Sequence, residues 1–264
     1  MTRWAEGLGG LLDFLLPTGC VVCRAWIARD IDKGDTVIVC ARCRTRLEVA
    51  SWPRCPRCHA PRGTGRGQAP DCLECREWPA ELSLARYAHV LTSPASDLVH
   101  GLKYEGWAEL ACLMGRRMAR VVERETPRRG RLGRIEGVVP VPTTERRRSA
   151  RGYNQAALLA KVVSETLRLP LLNALERSSA PASQTTLSPD ARRENVRGAF
   201  GVISDQATRI RGMDVLLVDD VLTTGATAGE AARSLVSVGA RSVRLLTFAR
   251  ALPQASSLRR RPAA

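Results

Sequence analysis

Apolar residues are spaced differently in the two parts of this 264-residue chain. After residue 81, short apolar runs of strand length alternate with stretches in which apolar residues recur every three or four positions, as on one face of a helix. The predicted strands cover residues 84–90, 135–142 and 215–218, and the predicted helices cover residues 94–101, 107–122 and 226–238. This alternation is typical of an α/β fold with a central parallel sheet flanked by helices.

The first 80 residues lack this pattern and contain few large aliphatic side chains. They carry four C-x-x-C pairs, whose spacing is close to that of zinc sites with four cysteine ligands. Disulfides are the alternative, but they are typical of secreted proteins, and redox motifs seldom occur four in a row. We therefore predict two structural Zn²⁺ sites, with the ligands Cys20, Cys23, Cys40, Cys43, Cys55, Cys58, Cys72 and Cys75.

The first 17 residues are apolar enough to be compared with a secretory signal peptide. Asp13 interrupts the apolar run, only Arg3 precedes it, and no small-residue cleavage site stands before Cys20. A short amphipathic helix that packs on the zinc ribbons is the preferred interpretation. No stretch approaches the roughly 18 apolar residues of a membrane span, so we expect a cytoplasmic protein with reduced thiols.

Two adjacent carboxylates, Asp219 and Asp220, follow the apolar run 215–218. In open α/β sheets, ligands bind outside the carboxyl ends of the strands. Carboxylates there can accept hydrogen bonds from a vicinal diol or face a Mg²⁺ ion that also holds a pyrophosphate. The loop that follows begins the next predicted helix, and its backbone N–H groups and hydroxyls suit a phosphate. It contains Thr223, Thr224, Gly225, Ala226 and Thr227.

This order of parts predicts a site for a phosphorylated ribose. A Rossmann dinucleotide site is the nearest rival, but it needs a G-x-G-x-x-G turn after the strand and an acidic residue about 20 positions later. The sequence has neither here.

A second phosphate candidate follows the predicted strand 135–142. There the chain turns at Pro142 into Thr143 and Thr144 and then enters a basic run. We interpret Arg151 as a ligand contact at the start of the next helix, whereas a solvated basic loop is the preferred interpretation of the arginines at 146–148. Backbone N–H groups, hydroxyls and an arginine together suit the oxygens of a pyrophosphate.

Charge points to a polyanionic partner, because 41 basic residues against 26 acidic ones give a net charge of +15. The excess is concentrated between residues 115 and 151, which suits a DNA groove or a substrate funnel. Trp26, Trp52 and Trp78 lie in the cysteine-rich part, where they either stack on bases or fill the ribbon cores, and the sequence leaves this open. The three histidines are interpreted as structural.

The acidic pair and its threonine loop resemble the phosphoribosyl pyrophosphate (PRPP) motif of type I phosphoribosyltransferases. Over residues 11–249, the order of motifs resembles the ComF family, competence-associated proteins that include the GntX group. The motifs are the C-x-x-C pairs, Gly101-Leu102-Lys103-Tyr104, Val139-Pro140-Val141-Pro142, Arg151-Gly152-Tyr153-Asn154-Gln155, the segment from Gln184 to Phe200, and the acidic-pair loop.

The resemblance implies a short helix and a double zinc ribbon over residues 1–80, a type I phosphoribosyltransferase fold over 81–252, and a disordered tail over 253–264. It also implies PRPP binding with Mg²⁺. The loop of residues 223–227 is then expected to hold the 5′-phosphate, Asp219 and Asp220 the ribose hydroxyls or metal-bound water, and the turn at Pro142–Thr144 with Arg151 the pyrophosphate. The long segment 178–198 is interpreted as a lid that carries Arg192, Arg193 and Asn195.

The function implied by the resemblance is a role in DNA uptake or in handling single-stranded DNA during natural transformation, with the arginine-rich surface as the DNA contact. Two alternatives stay open. One is an active phosphoribosyltransferase of nucleotide metabolism with an unidentified acceptor, and the other is a zinc-ribbon adaptor for a DNA-uptake helicase. Whether the protein is an enzyme is left open, because no acceptor pocket or general base is identifiable from the sequence.

Overall fold

The computed structural model describes residues 19–27, 38–62, 72–125, 132–177 and 198–252. The predictions for the amino-terminal helix, for the lid residues Arg192, Arg193 and Asn195, and for the tail after residue 252 fall outside these ranges. Within them, no helix combines the length and the apolar character needed to cross a lipid bilayer.

A four-stranded parallel sheet forms the centre of the molecule, with the strand order β1-β6-β5-β2. Alternate residues of β5 face two separate cores, since Leu216 and Val218 pack in one and Val215 and Leu217 in the other. This burial on both faces explains the continuous apolar run in the sequence. The strands are β1 (Leu82–Val90), β2 (Gly137–Pro140), β5 (Asp214–Leu222) and β6 (Ser242–Arg250), with a separate antiparallel pair of β3 (Leu175–Arg177) and β4 (Phe200–Val202).

Helices cover both faces of the sheet, so the predicted α/β class is confirmed. Most buried side chains of the helices at Ala95–Tyr104, Leu110–Glu125 and Gln155–Leu167 pack in one core, and those of the helix at Ala226–Ser237 pack in the other. The helices are α1 (Ala41–Thr45), α2 (Ala95–Tyr104), α3 (Leu110–Glu125), α4 (Glu145–Arg151), α5 (Gln155–Leu167), α6 (Ser204–Ile210) and α7 (Ala226–Ser237).

The basic run after Thr144 is the short helix α4, and the prediction of a loop there is wrong. Thr144 caps this helix by accepting a hydrogen bond from the backbone N–H of Arg147, and Gly152 ends it in the left-handed conformation at φ 80°. Both are ordinary helix-boundary signals. Arg151 is therefore the last residue of α4, whereas α5 begins four residues later, at Gln155, behind an Asn154 cap.

The cysteine-rich segment lies against the edge strand β1. The backbone N–H of Ala85 donates to the carbonyl of Arg57 at 2.8 Å, and that of Val90 donates to the carbonyl of Glu48 at 3.0 Å. An edge strand presents unpaired backbone groups, and here two of them are paired by the ribbons.

Candidate functional site

The eight paired cysteines form two groups of four, each within a single ribbon. In each group the possible ligand atoms all lie within 4.8 Å of one another. The Sγ atoms of Cys23 and Cys40 are 3.7 Å apart, and those of Cys55 and Cys75 are 3.8 Å apart. A tetrahedron of sulfurs with Zn–S bonds of about 2.3 Å has an edge of about 3.8 Å. The geometry therefore fits two zinc ribbons and not disulfides, whose sulfurs are about 2 Å apart.

The acidic pair lies at the carboxyl end of β5, which continues four residues beyond the predicted strand. The side-chain Oδ1 of Asp219 accepts a hydrogen bond from the backbone N–H of Asp220 at 2.8 Å. Asp220 is buried, with 3% of its surface exposed, and Asp219 is half-buried. Burial, together with the neighbouring charge of Asp220, raises the pKa of Asp219 to about 8. The site therefore favours a bound cation or hydroxyl donors that would stabilise the ionised pair.

Lys103 supplies the positive charge that faces this pair, and sequence analysis missed it as a site residue. Its Nζ is 2.8 Å from Oδ2 of Asp220. Lys103 lies in the last turn of α2, which is longer than the predicted helix. One signal was present: the chain has three lysines against 38 arginines. Lysine is a compact charge that competes directly with a metal ion for a carboxylate.

The phosphate-loop candidate forms the amino end of the 12-residue helix α7, as predicted. Gly225 is the N-cap residue, with φ at 84°, and the hydroxyl of Thr224 accepts from the backbone N–H of Ala226 at 3.4 Å. Thr223 is exposed, and Thr224 and Thr227 are half-buried. The first backbone N–H groups of a helix have no partner within it, so this end can accept an anion.

The turn of Pro142, Thr143 and Thr144 lies beside the acidic pair. The backbone N–H of Val141 donates to the carbonyl of Val218 at 2.9 Å, which places the turn next to the end of β5. The Thr144 hydroxyl is engaged as the cap of α4. Thr144 can therefore contact a ligand only through its backbone atoms or through a hydroxyl that also caps α4.

The predicted ligand contact Arg151 has partners within the protein. Its Nη1 donates to Oε1 of Gln155 at 2.8 Å, and its guanidinium lies 5.2 Å from the ring centre of Tyr104. A different arginine, Arg177 on β3, interacts electrostatically with Asp219. Burial, followed by the charge of Arg147, lowers the pKa of Arg177, while Asp219 opposes this shift. Sequence analysis did not single out Arg177, because a three-residue strand leaves little pattern.

A groove of about 830 Å³ runs between the ribbons, β1 and α3. Glu125 is the single acidic residue among the described residues that line it. Burial and the charges of Arg86, Arg54 and Arg250 lower the pKa of His59 to about 3, so this ring is neutral. The arginines of the lining are Arg54, Arg62, Arg86, Arg117, Arg120 and Arg124, and two histidines, His59 and His89, also line the groove.

The three ribbon tryptophans have different environments, which the sequence could not distinguish. Trp26 and Trp52 are 73% and 72% exposed, whereas Trp78 is 7% exposed. Trp52 lines the groove and stacks with Arg54, whose guanidinium carbon is 4.7 Å from the ring centre. Trp78 packs on the phosphate loop, where its Nε1 donates to the carbonyl of Thr224 at 2.8 Å.

Comparison with known families matches both parts of the chain. A double zinc ribbon domain matches residues 11–78, and a phosphoribosyl transferase domain matches residues 153–260. The DNA utilization protein YhgH of Escherichia coli is 30% identical over 230 residues, which cover 81% of this chain and 97% of that protein. Competence protein F of Haemophilus influenzae is 30% identical over 81% of this chain and 90% of its own length. Competence protein ComFC of Bacillus subtilis is 26% identical over 88% of this chain and 94% of its own length.

Proposed function

This chain belongs to the ComF family of double-zinc-ribbon, phosphoribosyl transferase-domain proteins, and on that premise we propose that it binds PRPP with Mg²⁺ and handles single-stranded DNA during DNA uptake. The observation that carries the PRPP proposal is the acidic pair at the end of β5, with Asp220 buried, directly before a loop that forms the amino end of helix α7.

Each chemical group of PRPP has a matching group at this edge of the sheet. Backbone N–H groups and hydroxyls of residues 223–227 suit the 5′-phosphate. Asp219 and Asp220 suit the ribose hydroxyls and a Mg²⁺ ion, because carboxylate oxygens are its usual protein ligands. The raised pKa of Asp219 supports this fit, since the pair lacks sufficient compensating charge. The turn at Pro142–Thr144 and the nearby Arg177 suit the pyrophosphate.

Bound Mg²⁺ supplies charge neutralisation at the pyrophosphate. The residues of this chain position the ribose and the two phosphate ends, and any transfer at the anomeric carbon depends on an acceptor that the residues do not identify. We therefore keep binding as the proposal and treat turnover as a separate test. Pyrophosphate release that depends on an added acceptor and disappears in Asp220→Asn would establish an enzyme.

Calorimetric titration of PRPP with Mg²⁺ into the zinc-loaded protein tests the site. Asp220→Asn removes the charge that faces Lys103, and it is expected to weaken binding at least tenfold. Asp205→Asn is the matched control, because this carboxylate is exposed on α6 and lies outside the site. Equal binding by both variants would contradict the proposed site.

The groove beside β1 favours single-stranded DNA as the second ligand. Arginines that contact phosphates give salt-dependent binding, and an exposed Trp beside an arginine offers a stacking surface for a base. Both features occur together at Trp52 and Arg54. The arginines at 146–148, for which the sequence favours a solvated loop, lie on α4 and do not line the groove, which gathers arginines from separate segments.

Fluorescence anisotropy with a labelled dT oligonucleotide measures whether DNA binds in the groove or on helix α4. Trp52→Ala is expected to cost about 1–3 kcal/mol of binding, whereas Trp26→Ala, an equally exposed Trp outside the groove lining, is the control. Arg120→Gln is expected to reduce the slope of log K against log salt concentration by about 0.7. If Arg146→Gln reduces that slope and Arg120→Gln does not, the DNA binds on α4 and the groove proposal is wrong.

A further inference from the structure

Trp78 connects the second zinc ribbon to the phosphate loop. Its indole Nε1 donates to the carbonyl of Thr224 at 2.8 Å, across 146 positions of sequence. Its ring also lies against Gly225 so closely that a Cβ on this residue would be 2.5 Å from Nε1. The next residue, Pro79, covers Gly229 of α7, where a Cβ would be 2.9 Å from the proline ring. The first turn of α7 thus packs closely against Trp78 and Pro79 at the end of the second ribbon.

The indole is held on its other side by the second cysteine group. Trp78 follows the ligand Cys75 by three residues, and its backbone N–H donates to the Cys75 carbonyl at 3.1 Å. The guanidinium of Arg57 binds the carbonyl oxygens of Cys75 and Pro79 at 3.1 and 2.7 Å. Cys75 and Trp78 are thus linked by a direct backbone hydrogen bond and through the Arg57 guanidinium.

A buried arginine joins the same ribbon to the sheet. Arg250, the last residue of β6, is fully buried, and its Nη1 donates to the carbonyl of Cys58 at 2.7 Å. Its Nη2 pairs with Glu74 at 3.2 Å, and its guanidinium lies 5.9 Å from the ring centre of Trp78. The ribbon is thereby fixed to the strand next to β5.

The hydrogen bond to Thr224 selects one orientation of the peptide between Thr224 and Gly225. In a trans peptide the carbonyl and the following N–H point in opposite directions. With the carbonyl directed at the indole, the N–H of Gly225 points away from the ribbon. Glycine with φ at 84° tolerates rotation of this peptide unless an outside partner holds it. Trp78 is such a partner.

We propose that Trp78 is a positioning residue of the phosphate loop, and that anion binding at residues 223–227 is thereby coupled to the zinc of the second ribbon. The part of this inference that concerns ligand affinity rests on the proposed function. The part that concerns loop structure stands without it. Coupling of this kind is reciprocal: if the metal favours the ligand, the ligand must favour retention of the metal.

Hydrogen exchange of a peptide that spans residues 223–227 tests the loop directly in the full-length, zinc-loaded protein. Trp78→Phe keeps a ring and removes the donor, and it is expected to accelerate exchange about fivefold, the effect of one lost hydrogen bond. Trp52→Phe changes an exposed Trp of the cysteine-rich segment and is expected to leave the loop unchanged. Unchanged exchange in a Trp78→Phe protein that retains two zinc ions would overturn the inference.

A matched pair of variants in the cysteine ligands tests the same inference even if Trp78→Phe folds poorly. Cys72→Ser removes a ligand of the second group, and Cys23→Ser removes one of the first group. Only Cys72→Ser is expected to accelerate exchange in the loop. Equal effects of the two variants would contradict specific coupling to the second ribbon.

Ligand binding supplies a separate result. PRPP with Mg²⁺ is expected to bind several-fold more weakly to Trp78→Phe than to Trp52→Phe, and to slow the transfer of zinc from the second group to a chromophoric chelator. If the wild-type protein binds no PRPP, the proposed function fails, whereas the exchange experiment still decides the role of Trp78. If PRPP binds both Trp variants equally, the coupling to affinity is refuted.

Discussion

Gly225→Ala tests the contact between the ribbon and the phosphate loop by adding a single carbon. Gly225 has φ at 84°, a conformation that costs an L-residue about 1–2 kcal/mol. The added Cβ would also lie 2.5 Å from Nε1 and 2.6 Å from Cε2 of Trp78. Displacing the buried indole costs about 1–3 kcal/mol for overpacking and about 1 kcal/mol for the lost hydrogen bond. The expected loss in free energy of unfolding is about 3–6 kcal/mol.

Gly212→Ala is the matched control, because Gly212 has φ at 74° and no atom lies within 4 Å of its added Cβ. It carries the backbone cost alone, about 1–2 kcal/mol. Urea denaturation of both zinc-loaded variants, followed by far-ultraviolet circular dichroism, gives the two losses. If Gly225→Ala is no more destabilised than Gly212→Ala, Trp78 does not pack on the loop in the way described.

Three further results are expected. The pKa of Asp219 is raised from 3.8 to about 8, so between these pH values the folded state keeps a proton that the unfolded state releases. The free energy of unfolding should therefore fall as pH rises from about 4 to 8. Asp219→Asn should flatten this slope in urea titrations, and an unchanged slope would exclude Asp219 as its source. Lys103→Met should cost about 2–4 kcal/mol in free energy of unfolding by leaving the buried Asp220 carboxylate without its cation. A loss no larger in Lys103→Met than in Lys103→Met/Asp220→Asn would argue against the ion pair. Metal analysis should find two zinc ions per chain. Removal of this zinc by a strong chelator should accelerate exchange of the Ala85 and Val90 amides, which donate hydrogen bonds to the ribbons. Protection of these amides that survives chelation would show that the metal does not hold the ribbons on β1.

The parts of the molecule that the sequence predicted well are those whose signal is local. The strand, the acidic pair and the threonine loop follow one another without interruption, so their order along the chain is also their order in space. Each cysteine group likewise takes its four ligands from consecutive pairs. Spacing along the chain therefore predicts both the two cysteine groups and the candidate phosphate loop.

The helix α4 was missed although its signals are equally local. Thr144 is a good cap residue, Glu145 is acidic in the first turn, and Gly152 is suited to the end of a helix. The consecutive arginines between these signals favour a solvated loop by their charge, and they show no apolar periodicity that would indicate a helix. Arg151 was consequently assigned to the wrong helix.

Contacts between distant segments account for what the sequence could not show. Lys103 and Asp220 are 117 positions apart, and Trp78 meets Thr224 across 146. The groove is assembled from the ribbons, β1 and α3, and none of these segments is a DNA motif by itself. Charge counting finds the arginine excess at residues 115–151 but could not tell α3, which lines the groove, from α4, which does not. These contacts between distant segments depend on tertiary packing, which produces no periodic pattern in the sequence.

The contacts between the ribbons and the sheet also bear on the predicted boundary at residues 80 and 81. A chain that began at residue 81 would lose the partners of Ala85 and Val90 on an edge strand and expose unpaired N–H groups there. It would also lack Trp78, and Arg250, now fully buried against Cys58 and Glu74, would lose both partners. Its guanidinium would then face water, so the cost would be the lost packing and hydrogen bonds and not an unpaired buried charge. We therefore expect that the boundary in sequence is not a boundary in energy, because the ribbons pair with the edge of the sheet and Trp78 packs on the loop of residues 223–227.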